Sequence, residues 1–228
     1  HIALLSRQDP KIPLSRLRSQ NQIIEIRSSD LSFTGNDITF FFNKKLKIDL
    51  NEEDVKSLES KTEGWVAGLQ LAALSLSGKE DISGFIKKLA GDNRYIMDYL
   101  MEEILDNIND ELKMFLLKTS IFEKLSASLC NAVLEISNSQ LILESLEKQN
   151  MFIIPLDDER EWFRYHHLFA DLLKKNLLRE YKDIIPILNQ RASNWFESND
   201  LSLFAIEHAL KAGDKKKGLE LIELIVDH

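Results

Sequence analysis

The apolar positions begin as a short continuous run, Ile2 to Leu5, the pattern of a strand covered on both faces in a parallel sheet. Ile23, Ile24 and Ile26 predict a second strand. The polar stretch between them holds Pro10 and Pro13 with the basic residues Arg7, Lys11, Arg16 and Arg18. Taken together, residues 1–33 are expected to be the last strands of an α/β domain that starts upstream.

From Thr34 the pattern becomes helical. Thr34 with Asp37 three residues on is a capping-box-like start, and Phe40, Phe41 and Phe42 supply apolar bulk. Asn51-Glu52-Glu53-Asp54 opens another helix, with acids at the positive end of its dipole. After Gly64, the segment Trp65 to Leu76 is apolar nearly all round, which predicts a buried helix. Helical spacing continues through Ile96, Leu100, Ile104 and Leu105, then through Leu112, Phe115 and Leu116.

Two further helices, Ala127 to Leu134 and Gln140 to Lys148, precede two aromatic and β-branched runs, 151–156 and 162–165. The acidic stretch 157–161 separates those runs, which is a hairpin signal. Helix, helix, hairpin is the order of a winged helix. Four more apolar sets follow at helical spacing: Phe169 to Leu177, Ile185 to Trp195, Phe204 to Ala209 and Leu219 to Ile225. Breaks at Asn199-Asp200 and Gly213-Asp214 make these short antiparallel helices, resembling the opening of a helical-repeat array that continues past His228.

Composition narrows the function classes. The 228 residues carry 29 Lys+Arg and 37 Asp+Glu, a formal charge of −8, which disfavours a free-standing nucleic-acid-binding domain. The winged-helix segment also lacks a basic reading face: Lys124 and Lys148 are opposed by Glu123, Glu135, Glu144 and Glu147. A 44% hydrophobic content predicts a real core. The single cysteine, Cys130, excludes an intramolecular disulfide and sits in an apolar helix as a core thiol. With no signal-peptide pattern, and an apolar stretch at 65–76 short of the ~20 residues of a membrane span, the expectation is a cytoplasmic chain without a membrane helix.

Few residues carry chemistry. His166 and His167 are adjacent, so their rings point about 100° apart on a helix and are badly spaced for a shared metal. Either one ring packs inside while the other caps the helix, or the pair senses a ligand. Arg7 follows the first apolar run, where parallel sheets gather ligands. It is placed to meet a phosphate, or else to pair with Asp9 or Glu25. The acidic clusters Glu102-Glu103 and Asp157-Asp158-Glu159 read as solvated faces. No phosphate-binding loop, G-x-S-x-G elbow or H-E-x-x-H occurs, so no catalytic or metal site is expected.

Particular strings go further. Residues 6–10 (SRQDP), 13–18 (PLSRLR), 25–27 (EIR) and 30–34 (DLSFT) resemble the end of the nucleotide-binding domain of MalT-type regulators, ATP-dependent transcription activators of the LuxR family and STAND class. Residues 62–74 (TEGWVAGLQLAAL) resemble the most recognisable string of that family. Residues 99–103, 119–121, 155–158 and 164–169 (RYHHLF) fall in matching order.

The resemblance implies a mainly α chain: a C-terminal remnant of a P-loop α/β domain over 1–33, a helical domain over 34–106, a winged-helix domain over 107–167, and a linker helix with the start of TPR-like repeats over 168–228. It implies ATP or ADP with Mg²⁺ in the parent protein and no tightly bound cofactor on this segment. Arg7 matches the arginine that reports on the terminal phosphate, and His166 the winged-helix histidine that touches the ADP phosphate. Gly68-Leu69-Gln70 matches the helical-domain turn beside the adenine, although relatives carry proline where Gln70 stands. Nucleotide exchange, with an inducer on the sensor, then releases the winged helix and permits self-association. Promoter DNA is reached only through a helix-turn-helix outside this sequence, and this segment by itself is expected neither to hydrolyse ATP nor to bind DNA. The competing class is a helical protein-interaction scaffold without either activity.

Overall fold

A computed structural model of the chain describes residues 2–6, 10, 12–76, 81–87, 89 and 93–226. It is mainly helical and separates into two compact units, His1–Glu103 with His166–Asp171, and Ile104–Tyr165 with Leu172–His228.

In the first unit, the strands expected at Ile2 to Leu5 and Ile23 to Ile26 do not form. Ile2, Leu5 and Ile24 are about nine-tenths exposed. A strand needs a neighbour to pair its N–H and C=O groups, and no described residue supplies one here. Two short helices, α1 (Leu14–Ser19) and α2 (Ser28–Leu31), bury none of their residues. Glu25 pairs with Arg18 at 2.5 Å and with Arg27, and these two guanidinium groups hold its carboxyl down to about 2. Arg7 and Asp9 lie outside the described residues.

The capping box at Thr34 forms: the Asp37 N–H donates to Thr34 Oγ1, and the Thr34 N–H to Asp37 Oδ2 at 3.0 Å. It starts α3 (Gly35–Thr39), which runs into a wider π-helical turn over Phe40–Leu46, closed by left-handed Lys47. That turn drives Phe42 fully inside against Phe41. Asn51 caps α4 (Glu52–Thr62) by accepting from the Asp54 N–H at 2.8 Å. Then come α5 (Val66–Leu76), α6 (Ile82–Lys87) and α7 (Arg94–Glu103). Lys61 donates to the Lys87 and Leu89 carbonyls at 2.6 and 2.7 Å, tying α4 to the end of α6. Ile38, Leu58, Leu69, Ala72, Ile86, Ile96 and Leu100 are wholly buried in the core. Helix α5 departs from the all-round burial expected: Val66, Gln70 and Leu74, four residues apart, form an exposed stripe, because its neighbours cover only part of its circumference.

The second unit has the winged-helix order. Helix α8 (Asp110–Thr119) leads to β1 (Leu125–Ser126), α9 (Ala127–Leu134), α10 (Ser139–Lys148), β2 (Ile153–Pro155) and β3 (Trp162–Tyr165). The expected hairpin forms, with Ile153 opposite Tyr165 and Pro155 opposite Phe163. Strand β1 adds to its other edge, giving the order β1-β3-β2, and its two residues are too few to carry an alternating pattern. Asp157, read as part of a solvated cluster, closes the hairpin instead, accepting from the Glu161 and Trp162 N–H groups at 2.8 Å each. Cys130 is buried, as expected, and burial pushes its thiol up to about 12.

Helices α11 (His167–Glu180), α12 (Ile185–Ser198), α13 (Ser202–Lys211) and α14 (Lys215–Val226) complete the chain. Left-handed Asp200 and Gly213 make the two breaks read from sequence. Arg191 fastens α12 to the winged helix, donating to the Val133 carbonyl at 3.0 Å and pairing with Glu135 at 2.8 Å at the end of α9. Ser193 donates to the Ala205 carbonyl at 2.8 Å and joins α12 to α13. Below this pair His208 is buried between Phe122 and Phe196, with Nδ1 bonded to Asn189 Oδ1 at 2.8 Å.

Burial lowers His208 from 6.5 to about 4, with nearby Lys211 adding to the shift. The folded-state value lies below the unfolded one, so the unfolded chain takes up this proton first. The unit is therefore expected to lose stability as pH falls from about 6.5 to about 4, where the contribution is fully lost. Urea midpoints across that range, compared between the native chain and His208→Gln, check this: the variant should show a flatter profile.

Candidate functional site

Of the described site residues, His166 meets the end of α4 directly. A helix leaves its last carbonyls without partners, and here Thr62 O is satisfied twice. It accepts from the Trp65 N–H at 2.8 Å and from His166 Nε2 at 2.9 Å. Because a carbonyl only accepts, His166 carries its proton on Nε2 in this contact. The chain reverses through two left-handed residues, Glu63 (φ 50°) and Gly64 (φ 71°). At Gly64 the backbone approaches Phe33 so closely that a Cβ would lie 2.5 Å from the Phe33 carbonyl oxygen. The Phe33 N–H in turn donates to the Gly64 carbonyl at 2.9 Å.

His166 is the buried ring and His167 the exposed one. The His166 carbonyl accepts from the Ala170 N–H at 2.9 Å and so starts α11. The His167 N–H donates to Glu63 Oε1 at 3.0 Å, and its Nδ1 lies 3.4 Å from the same carboxylate. One ring thus packs inside as read, but the other does not cap α11: the His167 ring faces Glu63 and the Ser60 carbonyl. Trp65 stands edge-on to His166 at 6.0 Å between centroids and contacts Tyr99 at 5.7 Å.

Gly68 lies under the Trp65 ring, where a Cβ would come within 2.4 Å of it. Gly68 and His166 are therefore brought together through Trp65. Leu69 is fully buried in the helical core, and Gln70 is exposed on the next step of the helix. The three do not form a turn as expected. They lie within α5, and the turn is one step earlier at Glu63-Gly64, since only those positions take the left-handed backbone. Arg7 lies outside the described residues. The 62–74 string stands out in the sequence, but nothing in it marks Thr62, Glu63 and Trp65 as partners of the histidine pair. Those contacts join residues about 104 positions apart, and no local pattern records them.

Among the described residues no group of three or more His, Cys, Asp or Glu is placed to hold a metal ion, and no helix is long and apolar enough to cross a membrane.

Residues 101–184 match the family of the MalT winged helix domain. The chain is 33% identical over its whole length to the HTH-type transcriptional regulator MalT of Klebsiella pneumoniae strain 342, covering 25% of that protein. Residues 101–184 are thus similar to a MalT winged helix, and the chain as a whole is similar to a segment of a MalT regulator. It is also 36% identical, over 93% of its length, to the serine/threonine-protein kinase PknK of Mycobacterium tuberculosis H37Rv, covering 19% of that protein. The chain thus spans a fifth to a quarter of the length of these curated relatives.

Two substitutions probe the turn after Thr62. Gly64→Ala meets both a left-handed backbone and Phe33, whereas Gly213→Ala (φ 84°) meets nothing within 4 Å. The Gly213 variant is expected to lose about 1 kcal/mol from backbone conformation and the Gly64 variant clearly more, read from urea denaturation. Gly68→Ala should displace Trp65 and shift the His166 ring signals in NMR while the His208 signals stay in place.

Proposed function

We propose that this segment is the regulatory part of a LuxR-family, MalT-like ATP-dependent transcription activator. On this reading its helical and winged-helix portions close over ADP or ATP and couple inducer sensing to self-association and to promoter binding by a helix-turn-helix outside residues 1–228. The domain limits at 33, 106 and 167, the α/β remnant before Thr34 and the repeat array after His167 belong to this proposal. The observation that carries it is His166, buried and fastened to the signature turn at Thr62, in a chain similar throughout to a MalT regulator.

The residues present fit one side of a nucleotide. His166 offers a buried imidazole beside the Trp65 ring, whose Nε2–H would turn from the Thr62 carbonyl to a phosphate oxygen in the closed state, and Gln70 offers an exposed amide. Leu69 is fully buried and contributes by holding α5 in place. Arg7 would meet the terminal phosphate. When bound, the nucleotide supplies the phosphate charge that distinguishes the two states. His166 then favours the closed arrangement by interacting with the ligand in that state alone, since only differential affinity shifts an equilibrium. The likeness to PknK supports a further reading of the same segment, a regulatory module whose output domain differs between parents.

The test is His166→Ala in the full-length protein, with circular dichroism to establish that the fold is retained. Loss of one hydrogen bond to a charged group, about 1.5–3 kcal/mol, is expected to weaken ADP binding by about tenfold or more and to raise inducer-independent reporter transcription. Unchanged ADP affinity and basal transcription at equal protein level would overturn the reading.

A further inference from the structure

A cavity of about 350 Å³ is lined entirely by residues of the second unit. Its buried floor is Phe122, Phe196 and His208, and Trp162 and Leu201 line it as well. At its mouth are Leu156 and Phe204, each about two-fifths exposed. The volume is that of a small-molecule site, and five ring side chains, Phe122, Trp162, Phe196, Phe204 and His208, form part of its lining.

We propose that this cavity binds a flat, uncharged aromatic molecule of one or two rings that carries an N–H or O–H donor. Flatness follows from the rings. Phe196 is stacked on His208 at 5.2 Å and 18°, and on Phe204 at 5.3 Å and 26°. Rings stacked on one another leave no slot between them, so a guest lies against the outer faces and edges of this stack, which a planar ring covers better than a branched aliphatic group of equal volume.

The donor follows from His208. The Asn189 amide N–H donates to the Ile185 carbonyl at 2.8 Å, which leaves its Oδ1 to accept from His208 Nδ1–H at 2.8 Å. The proton is therefore on Nδ1, and Nε2 is an acceptor with no hydrogen bond from any described residue. An acceptor that lines a cavity floored by apolar rings gains from a guest that brings a donor. Burial keeps the ring neutral near pH 7. The charged groups around the cavity are of both signs: Glu207 pairs with Lys211, Asp157 is committed to the hairpin backbone, and Glu123 and Lys124 are adjacent. This balance selects for no ligand charge. An occupant touches the hairpin at Trp162, the α8–β1 connection at Phe122 and the α12–α13 pair at once, so it stabilises their packing by linkage. None of this rests on the nucleotide reading, and either stands if the other fails.

Indole and benzofuran, nearly isosteric and differing in the N–H donor, are the probes. Titrated into the ¹⁵N-labelled chain, indole is expected to shift the amide signals of Phe122, Leu201 and His208 and the Trp162 side-chain N–H, saturating at about 1 mM or below. Benzofuran should shift the same signals about fivefold more weakly, the equivalent of one hydrogen bond of about 1 kcal/mol. Phe204→Lys and Leu156→Lys, both at the mouth, should each weaken indole binding in a folded chain. The proposal is overturned by the absence of indole shifts, by shifts elsewhere on the chain, by equal affinity for the two probes, or by indole binding that neither mouth variant alters.

Discussion

The carbonyl of Thr62 is the acceptor on which the first unit depends. It ends α4, receives the Trp65 N–H that sets the start of α5, and receives the His166 ring from the far side of the sequence. A helix end buried without partners would cost the full desolvation of its carbonyls, so the turn after Thr62 and the position of His166 are one constraint. Glycine is required at 64 because the left-handed backbone and the approach of Phe33 coincide there. Trp65 then takes the space above Gly68 and meets His166 at its edge. Thr62, Gly64, Trp65 and Gly68 thus each have a packing reason, and the same packing brings His166 to the Trp65 ring that covers Gly68.

The second unit is held by a different device. Its sheet has three short strands, too little on its own for a stable core, and α12 supplies the rest of the packing. Arg191 secures α12 by satisfying the end of α9, and Ser193 passes the connection to α13. Where hairpin, α8–β1 connection and α12–α13 pair meet, several of the side chains are aromatic, and large flat rings do not fill a three-way junction completely. The cavity floored by His208 is the space they leave. Its one buried titratable group is kept neutral by the apolar surroundings and by Lys211.

Much of this was legible in the sequence. The Thr34-Asp37 capping box, the acids after Asn51, the hairpin around 157–161 and the breaks at Asp200 and Gly213 are local signals, and each produced the expected element. The failures have a common cause. Ile2 to Leu5 has the composition of a buried strand, but a strand is defined by its neighbours and no described residue pairs with it. Helix α5 has apolar residues all round, yet which of them are covered depends on how many elements pack against it. The π-helical turn at Phe40–Leu46 answers to the burial of Phe42 and has no pattern of its own in the sequence.

The sequence by itself determined the helical character, the winged-helix order and the family strings, because these rest on the choice of residue within a few positions. Tertiary structure alone decided that His166 faces inward to Thr62 while His167 faces out to Glu63, that Gly68 serves Trp65, and that His208 gives its proton to Asn189. The physical reason is that the direction of a hydrogen bond and the burial of a ring depend on atoms brought from distant parts of the chain. In this protein those atoms come from up to about a hundred residues away.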